Sequence, residues 1–169
     1  MTDIKMTDLK FNIKSYSFED TRKIGKSLAL LMRRGDIVLL CGDLGAGKTQ
    51  FVKGVAETLK VNDNVVSPTF IIAVVYKGEI NLIHIDAYRL ESFYEVMDLG
   101  LDEDFSHAVT VIEWGNRVAD FLQDVFMTIT FELGDDDNTR DIEVTCHDKN
   151  RNQAVLKVLE ELTLTINVK

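Results

Sequence analysis

Apolar and polar residues alternate at Leu9, Phe11 and Ile13, the period of a strand with one buried face. The period then changes. Ile24, Leu28, Leu31 and Met32 recur at helical spacing, with Ser17 and Asp20 reading as an N-cap and its N3 acid and Gly35 as the stop. Residues 37–41 are an unbroken apolar run, as in a strand covered on both faces. Residues 49–60 return to helical spacing, and Phe51, Val52, Val55, Ala56 and Leu59 form the stripe. Residues 70–76 and 80–85 read as a hairpin around Lys77-Gly78-Glu79.

The second half continues the alternation of types. A short helix is expected over residues 91–97, a buried strand over 109–112 and a helix over 116–122. Residues 126–133 and 142–146 read as strands separated by the turn-rich Gly134-Asp135-Asp136-Asp137-Asn138, and residues 152–162 as a closing helix. Strands interleaved with helices predict an α/β fold: a three-layer sandwich with a mixed, mainly parallel sheet and an antiparallel hairpin. No repeat, low-complexity tract or linker interrupts the chain, so residues 1–169 read as a single domain.

Composition narrows the function. The chain is 46% hydrophobic and 28% charged, which suits a packed core. Its net charge of −9 argues against broad nucleic-acid binding. Arg33 and Arg34 read as a basic helix end favoured by the macrodipole. Cys41 and Cys146 form no C-x-x-C pair and have no nearby His at metal-ligand spacing, and Cys41 reads as a buried free thiol. The opening MTDIKMTDLKF has no apolar core of signal-peptide length, and no window approaches the ~18 apolar residues of a membrane helix. A cytoplasmic protein is expected.

The chemistry concentrates at Gly42-Asp43-Leu44-Gly45-Ala46-Gly47-Lys48-Thr49, which satisfies G-x-x-x-x-G-K-[ST]. It follows the buried strand and opens the amphipathic helix, the context a phosphate-binding loop requires. Glycines let the backbone approach an anion, and loop amides with the helix N-terminus would face phosphate oxygens. Lys48 would neutralise β- and γ-phosphate charge, and the Thr49 hydroxyl would ligate Mg2+. Two carboxylates follow apolar strands, Asp86 and Glu113, where ligands of α/β sheets collect. Each is a candidate to hold the metal or orient a water. Ser67 or Thr69 could contact the γ-phosphate or simply form a turn. His84 and Tyr88 read as packing or hydrogen-bonding residues. Arg89 could meet phosphate or a carboxylate, and Trp114 could be core or lie near the nucleotide.

The chain lacks the N-K-x-D and D-x-x-G segments of GTPases, and it shows no arginine-rich lid of the kind small-molecule kinases use, although scattered arginines could converge. A P-loop kinase remains the alternative reading.

Four segments in order, GDLGAGKT, SPTF, His84-Ile85-Asp86-Ala87-Tyr88-Arg89 and Ile112-Glu113-Trp114, resemble the bacterial TsaE (YjeE) family. The match runs from about Ser17 to Glu113 and more loosely to Arg140. The resemblance implies an ATP-binding domain with weak Mg2+-dependent hydrolysis, serving the threonylcarbamoyladenosine modification of tRNA position 37. It implies the partner subunits TsaD and TsaB, with tRNA met only through them, in keeping with the acidic surface. By resemblance Thr49 and Glu113 are magnesium ligands, and Asp86 is a catalytic or metal-linked acid. Thr69 is then switch-like, Trp114 belongs to the E-W motif, and Arg140 becomes a candidate nucleotide contact. Two departures are Gln50, where a second Thr is frequent, and Gly115, where relatives often carry proline and where a more flexible loop is therefore expected.

Overall fold

The computed structural model describes residues 8–69, 71–92 and 94–167. Alternation at the start of the chain gives β1 (Leu9–Ser15), whose inward residues Ile13 and Ser15 are buried. Helix α1 (Phe18–Ala29) begins as its sequence dictates: the Ser17 hydroxyl accepts from Asp20 N at 3.1 Å. The apolar run forms β2 (Ile37–Cys41), and α2 (Lys48–Thr58) follows the glycine loop. Strands β3 (Ala73–Tyr76) and β4 (Asn81–Asp86) make the hairpin. Two single-turn helices, α3 (Tyr94–Met97) and α4 (Asp102–Phe105), precede β5 (Ala108–Glu113). Strands β6 (Val125–Leu133) and β7 (Arg140–Cys146) and helix α5 (Asn152–Ile166) close the chain.

All the strands join one seven-stranded sheet in the order β1-β7-β6-β2-β5-β4-β3. The central strands β6, β2, β5 and β4 run parallel, while β3 at one end and β7 toward the other are antiparallel to their neighbours. This is the mixed α/β sheet expected, with the hairpin at its edge. Helices α1, α2 and α5 cover one face, where Ile24, Leu28, Phe51, Val55 and Leu159 pack on Val38, Leu40 and Met127. The opposite face of β2, β5 and β4 packs Leu39, Ile83, Ile85 and Ile112 against Leu90, Val96 and Val118. Because β2 is buried on both faces, every residue from Val38 to Leu40 is apolar and buried.

The structure differs from the sequence expectation in several places, the first being that α1 ends at Ala29, short of the Gly35 stop. The helix expected over 116–122 is two 3-10 turns, Gly115–Arg117 and Ala119–Phe121, closed by i to i+3 bonds such as Val118 N to Gly115 O at 3.1 Å. Val118 is the one fully buried apolar side chain of that short stripe, Ala119 and Leu122 are partly buried and Phe121 is exposed, so no full apolar face supports a longer helix. The strand expected from residue 70 begins at Ala73, and Phe70 lies outside the described residues, as do Phe93 of the short helix and residues 1–7 at the start. Arg33 and Arg34 lie beyond α1 rather than at its end. Arg34 instead donates to His107 O at 2.8 Å and Glu79 O at 2.7 Å. Cys41 is only half-buried, whereas Cys146 is fully buried, and both are free thiols. Among the described residues no helix is long and apolar enough to cross a membrane.

Candidate functional site

Strands β2, β5 and β4 are parallel neighbours, so their carboxyl ends emerge side by side. In register, Leu40 stands opposite Glu113, and Glu113 opposite Asp86. The three strand ends therefore deliver the glycine loop, Glu113 and Asp86 to one place. That place is a cleft of about 540 Å3, whose lining includes residues 44–50, Thr69, Asp86, Glu113 and Trp114. Gly42 and Asp43, also singled out by the sequence, do not line it; their carbonyls accept from Lys48.

The loop needs glycine at two points for stated reasons. Gly42 has φ +140°, and a Cβ there would lie 2.6 Å from Phe131 O. Gly47 has φ +104° and is the N-cap of α2, which carries no side-chain cap. The first-turn amides of α2 are thus left open toward the cleft, where an anion would satisfy them. Lys48 lies back along the loop: its Nζ donates to Gly42 O at 2.6 Å and Asp43 O at 2.7 Å and sits 4.5 Å from the Trp114 ring centre. Burial lowers the Lys48 pKa, and the nearby Glu113, Asp86 and Asp43 carboxylates oppose that shift.

Glu113 is buried, and its Oε1 accepts from the Thr49 hydroxyl at 3.2 Å. The same oxygen lies 2.8 Å from His84 Nε2. A carboxylate only accepts, so Nε2 carries the imidazole proton, and the buried Nδ1 has no partner among the described residues. Asp86 is buried as well, and its Oδ1 accepts from Tyr88 N at 2.9 Å. Trp114 sits at φ +58°, a left-handed conformation unusual for a tryptophan, and packs on Tyr88 with ring centres 4.9 Å apart and planes tilted by 50°. Thr69 meets Ser67 hydroxyl to hydroxyl at 3.0 Å on the cleft wall.

These oxygens suit magnesium shared with a polyphosphate. Among the described residues no three His, Cys, Asp or Glu side chains form a cage of their own. A hydroxyl and a carboxylate in direct contact, with a second carboxylate on the adjacent strand, are instead the one- or two-carboxylate donor set that Mg2+ uses when phosphates and water complete its shell.

Every residue the sequence singled out from residue 44 to Thr49, with Thr69, Asp86, Glu113 and Trp114, meets at this cleft. Arg140 does not line it. Its guanidinium is bonded to main-chain carbonyls of the glycine loop and the β6–β7 turn, so it is no direct contact for a ligand in the cleft. Gly115 is buried, and a Cβ there would come within 2.6 Å of Leu39 Cβ, so the residue is packed against the sheet rather than loose. One lining residue was not singled out by sequence reasoning, whereas His84 takes the hydrogen-bonding role expected of it. Phe18 lines the cleft from the start of α1, and nothing in its local pattern marks it. The grip of His84 on Glu113 had a signal: the spacing of two in His84-Ile85-Asp86 puts both polar residues on one strand face, beside β5.

Comparison with known proteins agrees with this geometry. The family model described as threonylcarbamoyl adenosine biosynthesis protein TsaE matches residues 15–142. The chain is 42% identical over 125 residues to the tRNA threonylcarbamoyladenosine biosynthesis protein TsaE of Treponema pallidum, covering 73% of this chain and 93% of that one. It is 43% identical over 131 residues to the same-named protein of Streptomyces coelicolor, covering 73% and 88%. A crystal structure of Bacillus subtilis YdiB superposes with a TM-score of 0.73 at 31% identity, over 93% of this chain and 98% of that one. Sequence and fold together show that this chain belongs to the TsaE family of threonylcarbamoyl adenosine biosynthesis proteins.

Proposed function

We propose that the chain is an ATP-binding accessory ATPase of the machinery that makes N6-threonylcarbamoyladenosine at tRNA position 37, coupling weak Mg2+-dependent hydrolysis to a TsaD–TsaB complex in the cytoplasm. The observation that carries the reading is the Thr49–Glu113 contact at the mouth of the glycine loop, one strand away from Asp86. A phosphate cradle alone would suit a binding module. A cradle with two buried carboxylates beside it suits phosphoryl transfer to water.

On this reading residues 42–49 and the uncapped start of α2 bind the polyphosphate through amides. Lys48 supplies the neutralising charge, and its loop carbonyl contacts keep it within reach. Thr49 and Glu113 would hold Mg2+, which would offset charge on the phosphate oxygens. His84 fixes one Glu113 oxygen. The Tyr88 amide holds one Asp86 oxygen, and the carboxylate orients the attacking water. Trp114 and Thr69 bound the site. The net charge of −9 suits a protein that meets tRNA only through protein partners.

The test is phosphate release from ATP by the chain alone, with TsaD and TsaB, and with both plus tRNA. Slow release that rises on adding the partners is expected. An unchanged rate with no complex on gel filtration would sink the proposal. Labelled γ-phosphate appearing on a metabolite instead of as free phosphate would make the protein a small-molecule kinase.

A further inference from the structure

Arg140 opens β7 and is buried, 7% exposed, although its charge is permanent. Its Nη2 donates to Gly45 O at 3.1 Å and its Nε to Ala46 O at 3.1 Å. Its Nη1 donates to Asp137 O at 2.8 Å and Thr139 O at 2.6 Å. All four acceptors are main-chain carbonyls from two separate loops.

One of those loops is stiff. Asp136 Oδ1 accepts from Asn138 N at 2.8 Å and Thr139 N at 2.9 Å, and Gly134 N donates to Thr139 O at 3.0 Å. Those amide bonds also hold the Asp136 carboxyl below the usual carboxylate range. The acidic turn between β6 and β7 is therefore a fixed post, and the Arg140 guanidinium is a brace from it to the glycine loop. The loop needs such a brace: Gly47 O accepts from Phe51 N at 3.2 Å as the first helical bond, whereas Gly45 O and Ala46 O lie ahead of it and are met by Arg140. Gly42 O and Asp43 O are turned onto Lys48, and Gly45 O and Ala46 O onto Arg140.

Carbonyl direction fixes amide direction. Every peptide among the described residues is trans, so each amide points opposite to the carbonyl before it. The Ala46 amide closes a turn onto Asp43 O at 3.2 Å. The Gly47 amide, following the Ala46 carbonyl held by Arg140, points away from Arg140. Gly47 lines the cleft and Arg140 does not.

We infer that Arg140 is the positioning residue of the glycine loop: it holds the Gly45 and Ala46 carbonyls outward and so keeps the Gly47 amide turned toward the phosphates. The bracing stands on the geometry alone; the aim at phosphates rests on the nucleotide reading above. A lysine at 140 keeps the charge but lacks the planar fork that reaches acceptors in both loops at once.

The experiment compares the whole protein with Arg140→Lys and Arg140→Gln. In ligand-free protein, amide hydrogen exchange over residues 45–48 should quicken at least about tenfold in both variants while α5 exchanges as before. Calorimetry with Mg-ATP should show binding weakened about tenfold or more, and in hydrolysis the loss should fall on KM rather than kcat. Loop exchange within twofold of wild type overturns the inference, as does loop and α5 exchange rising together. Local quickening with unchanged ATP affinity overturns the aiming role. A wild-type protein that binds no nucleotide sinks the nucleotide reading and the aiming role, and the exchange measurement then decides the bracing by itself.

Discussion

The Thr49 hydroxyl and the Glu113 carboxylate meet at 3.2 Å, joining the first turn of α2 to the end of β5. His84 Nε2 approaches the same Glu113 oxygen at 2.8 Å. One oxygen of the carboxylate is therefore met by two donors. On the proposed chemistry, Glu113→Gln should lower hydrolysis about 10²-fold or more, since a neutral amide holds Mg2+ poorly. Magnesium-free ADP affinity should change little. Phosphate release and calorimetry with and without Mg2+ check this, and a Glu113→Gln protein that hydrolyses normally would remove Glu113 from the metal site.

Asp86 stands one strand away, opposite Glu113 in register, with Oδ1 held by the Tyr88 amide. If it orients water rather than binding nucleotide, affinity and turnover separate. Asp86→Asn should bind ATP within about tenfold of wild type and lose about 10²- to 10⁴-fold in turnover, the range of a positioned general base. Equal losses in both would make it a binding residue instead.

Lys48 gives a pH signature. Burial lowers its pKa below the ordinary lysine value, against the pull of Glu113, Asp86 and Asp43. A buried ammonium costs stability below that lowered pKa, and the cost is relieved as pH rises through it. A bound polyphosphate favours the charged form. Nucleotide affinity should therefore fall with rising pH earlier than an exposed lysine would allow, and Lys48→Ala should abolish the alkaline dependence along with most of the affinity. Calorimetric titrations from neutral to mildly alkaline pH test the sign.

Much of this was legible in the chain. A glycine loop between an apolar run and a helical stripe could only be a strand–loop–helix, and the two acids following apolar runs fell where the sheet required. The brace from Arg140 was not legible. Its acceptors are carbonyls far away in sequence, at Gly45 and Ala46, and backbone acceptors leave no residue-type signal. The segment after Trp114 failed for another reason: its apolar spacing suits one helical turn, and full burial of Val118 with only partial burial of Ala119 and Leu122 could not extend it.

Two glycines let α1 and α2 pack at close range. A Cβ on Gly25 would lie 2.2 Å from Phe51 O, and one on Gly54 would lie 2.0 Å from Arg22 O, so α1 and α2 touch backbone to backbone. Gly54→Ala should force them apart and cost about 1–3 kcal/mol, despite alanine's better helix propensity. At this chain length that lowers the melting temperature by roughly 2–4 °C per kcal/mol. A Gly54→Ala protein as stable as wild type would mean the helices separate freely.

Arg151 ties the start of α5 to the far end of β2 and gives the acid side of stability. Its Nη1 and Nη2 donate to the two Asp36 oxygens at 2.6 and 2.8 Å, its Nε donates to Asp148 at 2.6 Å, and its Cζ lies 3.4 Å from the Phe126 ring centre. The Arg151 bond is the largest cause holding the Asp148 carboxyl below the usual range. A lowered carboxylate contributes stability above its unfolded pKa and loses it as pH falls through the folded one. Arg151→Met keeps a side chain on Phe126 but strands two acids, and should cost about 2–3 kcal/mol at neutral pH, less than a fully buried pair. Urea midpoints of variant and wild type should then move closer as pH falls below the ordinary aspartate range, because a protonated Asp148 no longer needs a partner. A gap that stays constant from neutral to acid pH would assign the whole effect to packing on Phe126.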